Sequence, residues 1–181
     1  MANRYPQLDA KLVDFIERQK LFFVATASRD GRVNVSPKGM DTLRVLGNDR
    51  VIWLNLTGSG NETAAHLIEC RRMTLMFCSF EQDPLILRLY GEAETLHPRD
   101  TDWAALITHF PHHPGARQIF DLRIELVQTS CGFGVPMFEF TDERKTLDAW
   151  SNKKGDTGIR QYWSEKNRTS IDGKATGILD D

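Results

Sequence analysis

The residues best able to do chemistry lie in one stretch, Leu54-Asn55-Leu56-Thr57-Gly58-Ser59-Gly60-Asn61-Glu62-Thr63. A strand-like run passes there into a glycine-bearing loop and then into a helix whose apolar face is Ala64, Ala65, Leu67 and Ile68. Gly58 and Gly60 let the backbone come close to a ligand. The first turn of the helix offers N–H groups with no intrahelical partner, and its dipole favours an anion. Thr57, Ser59, Asn61 and Thr63 add side-chain donors, so the stretch has the chemistry of a phosphate cradle. The same residues also describe a capped helix after an ordinary loop. Ser59 and Glu62 have capping-box spacing, and Asn61 is an alternative N-cap. The Glu62 carboxylate would repel a phosphate unless it turns away, for instance onto the Ser59 amide. The Gly-Lys-Ser/Thr ending of a Walker A loop is absent.

Two further elements bear charge on strand-like runs. Ser36-Pro37-Lys38-Gly39 closes one run, and Lys38 is either a point charge for a phosphate or a solvated lysine. In Leu87-Arg88-Leu89-Tyr90-Gly91, Arg88 alternates with leucines, which places it on a sheet face that meets solvent, a partner subunit or an anion. Other combinations are weaker. His109, His112 and His113 are interrupted by prolines and lack a carboxylate at ligand spacing, so no metal site is expected. Ser130, Asp121 and a histidine form no hydrolase triad without a nucleophile elbow. Trp150, Lys153, Lys154, Gly155, Arg160, Tyr162 and Trp163 in the tail either cap a ring or pin an extension onto the core.

The elements that position these groups are short. Leu8, Leu12, Phe15 and Ile16 predict an N-terminal helix. Asp30-Gly31 separates LFFVATA from VNVSP and predicts a hairpin. A second hairpin joins LRVLG to VIWLNL through Asn48 and Asp49. RMTLMFCSF and LILRLYGEAETL are two more strands. Thr101 to His109 reads as helix, with Trp103, Leu106, Ile107 and Phe110 on its buried side. LRIELVQTSCGFGV is the last long strand, with Leu122, Ile124, Leu126 and Gln128 on alternate positions. Short helices are expected at Asp148–Ser151 and Ile159–Lys166, and Asn167–Asp181 has few apolar anchors. About six strands with hairpin connections predict an α+β fold, a closed or nearly closed antiparallel barrel with helical decoration, rather than a doubly wound sheet. Residues 1–135 form the barrel domain and 136–181 a polar C-terminal extension in this reading.

With 181 residues and 40% apolar composition, the chain can bury a real core. A net charge of -2 with interspersed signs argues against nucleic acid as a partner. Three widely spaced cysteines without a CxxC pair, no signal-peptide layout and no long apolar run predict a protein of the reducing cytoplasm, off the membrane.

In order, the first hairpin, Ser36-Pro37-Lys38-Gly39, the strand Trp53-Leu54-Asn55-Leu56, the Gly/Ser/Asn loop, the helix and Leu-Arg-Leu-Tyr-Gly-Glu-Ala-Glu resemble the FMN-binding split barrel of the pyridoxamine 5′-phosphate oxidase-like superfamily, over about Leu8 to Gln128. The resemblance implies a split β-barrel homodimer with FMN between the subunits. It places the phosphate at Lys38, Ser59, Gly60, Asn61 and Thr63, the ring beside Trp53, Leu54, Asn55 and Leu56, and Arg88 near ring or phosphate, with Ser36, Gly39 and Thr57 as further cofactor-binding residues. The implied activity is an oxidoreductase fed by a nicotinamide or another small molecule. The alternatives are a flavin- or haem-binding carrier without turnover, and a reductase using deazaflavin F420. The oxidase proper has a basic Ser-Arg-Lys loop where this chain has Ser59-Gly60-Asn61, and an arginine- and histidine-bearing ending that Asn167–Asp181 lacks. Pyridoxamine phosphate is therefore not the expected substrate.

Overall fold

A computed structural model describes residues 2–179. The strands are β1 (Asn3–Tyr5), β2 (Phe22–Thr26), β3 (Asn34–Lys38), β4 (Leu43–Val45), β5 (Arg50–Leu56), β6 (Arg72–Cys78), β7 (Ile86–Leu96) and β8 (Ala116–Ser130). They form one antiparallel sheet in the order β3-β2-β6-β7-β8-β5-β4, with β1 added on β8. The sheet curls on itself: Phe22 of β2 meets Trp53 of β5 edge-on at 6.2 Å, although three strands separate them in the sheet order. The edges β3 and β4 do not pair with each other, which leaves the barrel split along that seam. This is the antiparallel split barrel that the hairpins predict.

Helix α1 (Ala10–Arg18) closes one mouth of the barrel. Asp9 caps it, its carboxylate accepting from the Leu12 amide at 2.9 Å. Leu12, Phe15 and Ile16 are buried from α1, each worth about 1.5–3 kcal/mol of transfer free energy. They join Val24, Trp53, Leu75, Phe77, Leu89, Phe120 and Leu122 in the main core. Helix α2 (Glu62–Glu69) buries Thr63, Ala64, Ala65, His66 and Leu67. Ile68, expected on that face, is exposed instead; His66 takes the inward place and bonds Thr26 at 3.1 Å. Helix α3 (Trp103–Leu106), prolonged by a 3₁₀ turn over Ile107–His109, packs Leu106 and Phe110 on the other face of β5 and β8, against Ile52, Leu54 and Ile119. Helix α4 (Thr146–Lys166) is broken at Gly155, whose φ of 61° and ψ of 174° are not helical, so two short helices flank it as expected.

Three expectations are corrected. Strand β1 has no alternating signal and is held only by its register against β8. Strand β8 begins at Ala116, six residues before Leu122, because Arg117, Gln118, Ile119 and Phe120 are all buried and show no alternation. Leu126 and Gln128 do not continue the inward row of Leu122 and Ile124. The register shifts between Tyr90 and Gly91, and Val127 and Thr129 face inward beyond it.

That bulge has a steric cause. A Cβ built on Gly91 would lie 1.8 Å from the Arg123 carbonyl oxygen, so no side chain fits there. Gly91→Ala is expected to destabilise the fold by about 2–4 kcal/mol, read as a lower denaturation midpoint in urea with little change in slope. An unchanged midpoint would contradict this packing.

Candidate functional site

Edge strand β3 sends Val35 and Pro37 outward and Asn34, Ser36 and Lys38 inward. A cavity of about 610 Å³ opens at its end, and Pro37, Lys38, Gly39, Thr57, Gly58, Ser59, Trp150 and Tyr162 are among the residues lining it. An adjoining cavity of about 1050 Å³ shares Lys20, Gly39, Met40, Glu143 and Arg144 with it. Met40 and Asp41 between β3 and β4 hold φ values of 62° and 54°, a left-handed turn that redirects the chain across the seam. The size suits a cofactor.

Charged side chains of both signs line the smaller cavity, Lys20, Asp142, Glu143 and Arg144 among them, and Lys38 is the one that β3 supplies. Among the described residues its ammonium has no hydrogen-bond or ion-pair partner. It lies 5.4 Å from the centroid of the Trp53 ring. Desolvation, with Arg117 as a second cause, lowers its pKa to about 8. Arg117 comes from β8, is 2% exposed, and has an Nε with no partner among the described residues. Its own pKa is also lowered by burial. A second bulge turns it inward: Asn55 pairs with Gln118 and Leu56 with Ala116, so Arg117 is the extra residue of β8. The sequence reading missed Arg117. Its one signal is an arginine two residues before the apolar Ile119-Phe120.

Arg117 and the C-terminal segment hold the loop after β5 from behind. Arg117 Nη2 donates to the Gly60 carbonyl at 3.0 Å and Nη1 to Asn167 Oδ1 at 2.8 Å. Asn167 Nδ2 donates to the carbonyls of Gly58 and Ser59 at 3.0 and 3.4 Å. A peptide unit is planar and trans, so its N–H points opposite to its C=O. The N–H groups of Ser59, Gly60 and Asn61 are therefore turned away from Asn167 and Arg117. Among the described residues none of the three donates to a protein acceptor. Successive amides without an acceptor are donors that an anion could use.

The structure thus brings Lys38, Gly39, Thr57 and Ser59 to one cavity, with the Gly60 and Asn61 amides in the adjoining loop. Other expected site side chains lie elsewhere. Trp53 is fully buried, stacked on Phe120 at 4.5 Å and under the Lys38 ammonium. Asn55 is buried and donates to Gln118, and Leu56 packs toward α3. Ser36 donates to Asn34, which donates to Thr63. Asn61 is the N-cap residue of α2 but makes no side-chain cap bond; its side chain donates to the Asn167 carbonyl. The capping box also fails to form, because Glu62 turns away from Ser59 and accepts from the Ile171 amide. Arg88 sits on the outward sheet face and donates to Ser130. The tail aromatics pin the extension: Trp163 donates to Thr57 at 2.8 Å and packs with Ile159 and Ile178. His113 is held at both ring nitrogens, by Asp148 and by the Gly115 amide.

Residues 8–131 match the pyridoxamine 5′-phosphate oxidase family. A pyridoxamine 5′-phosphate oxidase family protein of Aspergillus flavus, ustO, is 41% identical over 147 residues, 78% of this chain and 59% of that protein. The chain therefore belongs to the pyridoxamine 5′-phosphate oxidase family and spans somewhat over half the length of that relative. A crystal structure from Lactobacillus delbrueckii, described as a candidate pyridoxamine 5′-phosphate oxidase, superposes with a TM-score of 0.55 at 20% identity, covering 68% of this chain and 94% of that one. HupZ of Group A Streptococcus superposes with a TM-score of 0.52 at 20% identity, covering 66% and 91%. These two show the shared fold. No helix among the described residues is long and apolar enough to cross a membrane.

Ion pairs fasten the C-terminal segment across the first hairpin. Lys174 pairs with Asp30 and Glu69, and Asp172 with Arg32. Hydrogen bonds and charge from Lys174 hold Asp30 and Glu69 below their ordinary range, and the Arg32 amide and guanidinium do the same for Asp172. Depressed carboxylate pKa values contribute stability that is present above the unfolded values of about 4 and lost as the pH falls through the folded ones. Lys174→Ala should therefore flatten the decline of the melting temperature between about pH 5 and pH 3. A decline as steep as in the unsubstituted chain would contradict the fastening.

Proposed function

We propose that this chain binds FMN, with the phosphate on Lys38 and the Ser59–Asn61 amides, and works as a flavin-dependent oxidoreductase. The observation that carries the reading is a poorly solvated Lys38, without a hydrogen-bond or ion-pair partner among the described residues, lining a cavity of about 610 Å³ together with Gly58 and Ser59, whose loop leaves three successive amides without a protein acceptor. A phosphate dianion satisfies both halves of such a site. Gly58 has open space where a Cβ would stand, so the loop does not itself fill the cradle. Trp150 and Tyr162, on the opposite wall, offer aromatic surface to a planar ring. When bound, the flavin supplies the redox chemistry. The chain's own part is to hold the phosphate, exclude water with the 142–150 segment, and leave the larger adjoining cavity for a small-molecule or nicotinamide donor. The lack of a basic Ser-Arg-Lys loop and of an arginine- and histidine-bearing ending argues against pyridoxamine phosphate as the substrate.

Purified protein should take up FMN, with absorption bands near ~370 and ~450 nm, and NADH or NADPH should reduce it with multiple turnover. Uptake without turnover would favour a carrier, preferential uptake of deazaflavin F420 would favour that reductase, and no uptake of either would end the reading. A bound phosphate restores the charge on Lys38. The free-state pKa of about 8 is thereby raised on binding, and affinity should fall as the pH rises through 8. Lys38→Gln should bind FMN roughly tenfold or more weakly and lose that pH dependence. A variant as tight as the unsubstituted protein would remove Lys38 from the site.

The same reading includes a homodimer. The outward sheet face carries Val33 and Val35, 70% and 61% exposed, beside Pro37, Phe23, Met76 and Arg88 in one cross-strand row. Exposed apolar surface of this kind marks an interaction site. Val35→Glu combined with Arg88→Glu should convert a dimer to monomer on size-exclusion chromatography with light scattering. A monomeric unsubstituted protein, or a variant dimer, would contradict it.

A further inference from the structure

The C-terminal segment crosses the site, and one residue in it touches every part of the loop. Asn167 is fully buried, at the end of α4. Its side chain donates to two loop carbonyls and accepts from Arg117, which holds the third. Its main-chain carbonyl accepts from Asn61 Nδ2 at 3.2 Å and from Thr176 Oγ1 at 2.5 Å. Its main-chain amide closes α4 on the Trp163 carbonyl, and its other hydrogen-bonding groups are spent on the loop, on Arg117 or on the tail that follows.

We propose that Asn167 is a positioning residue for anion binding: by drawing the carbonyls of Gly58 and Ser59 inward, and fixing Arg117 on that of Gly60, it turns three consecutive amides outward as one anion-binding concavity. The inference rests on the phosphate-binding reading of the cavity. It gives the C-terminal extension a role in the cofactor site. It also explains how a loop without basic residues can hold a phosphate: the charge comes from Lys38 on β3, and the loop contributes aligned amides. A loop freed from Asn167 keeps its composition and loses its alignment, because glycine at positions 58 and 60 leaves the backbone many alternatives.

The test uses the full chain, labelled with ¹⁵N and titrated with inorganic phosphate, FMN and riboflavin. In the unsubstituted protein, phosphate and FMN should shift the Ser59, Gly60 and Asn61 amide resonances together, and riboflavin should not. Asn167→Ala should weaken FMN binding by about tenfold or more while riboflavin binding changes less than about twofold. Asn167→Asp is nearly isosteric and retains the acceptor for Arg117 but cannot donate to the two carbonyls; it should lose FMN affinity in the same way. If Asn167→Ala fails to fold, the aspartate variant and the titration of the unsubstituted protein decide. FMN that binds without moving the three amides would overturn the inference and leave the flavin reading standing. Phosphate that moves them in a protein that binds no flavin would support the inference and end the flavin reading. Equal losses of FMN and riboflavin affinity in the variants would assign Asn167 a merely structural role and overturn it, as would no response to any of the three ligands.

Discussion

Lys38 and Arg117 carry two like charges into a poorly solvated place, and neither meets a carboxylate among the described residues. Desolvation acts on both, and their repulsion adds to it on Lys38. Such an arrangement costs folding free energy unless something offsets it. Part of the offset is visible: Arg117 is spent on carbonyl and amide oxygens, and Lys38 has the face of Trp53 beneath it. The remainder is an electric field at the cavity mouth that any bound anion would lower. Much of the surrounding structure serves to keep those two charges where they are.

Three devices do so. The bulge between Asn55 and Leu56 breaks the alternation of β8 and turns Arg117 inward, and Gln118 takes up Asn55 beside it. The seam between β3 and β4 leaves Lys38 at an unpaired edge, where its ammonium can face an open cavity. The tail closes the far side: Trp163 bonds to Thr57, Asn167 to the loop, and ion pairs at Lys174 and Asp172 tie the end to the first hairpin. Sheet register, loop direction and tail docking are therefore parts of one arrangement around a charge.

The barrel was legible because its signals are local and periodic. Alternating apolar residues around Asp30-Gly31 mark the first hairpin, and the 3.6-residue rhythm of Leu12, Phe15 and Ile16 marks α1. The loop and Lys38 were legible as chemistry, since glycines before a helix and a lysine at a strand end are conspicuous side by side. Arg117 was not, because a bulge is set by pairing across the sheet and leaves no period in its own strand. Asn167 was hidden for a related reason: its partners lie about a hundred residues away, and a polar residue in a polar tail resembles its neighbours. Trp53 and Asn55 are expected beside a ligand because their strand leads to the loop; β5 is covered on both faces, and their side chains lie in the core. The tail, read as thinly anchored, is pinned through buried Ser170, Thr176 and Ile178.

A half-buried Lys38 without a hydrogen-bond or ion-pair partner among the described residues is a charge that an anion would satisfy, and proton uptake tests this most directly. Calorimetric titration of the protein with FMN at pH 8, in two buffers of different ionisation enthalpy, counts the protons that accompany binding. With a free-state pKa of about 8 raised by the phosphate, about half a proton should be taken up per FMN bound, and Lys38→Gln should take up none. Binding of FMN with no proton uptake by the unsubstituted protein would contradict the account.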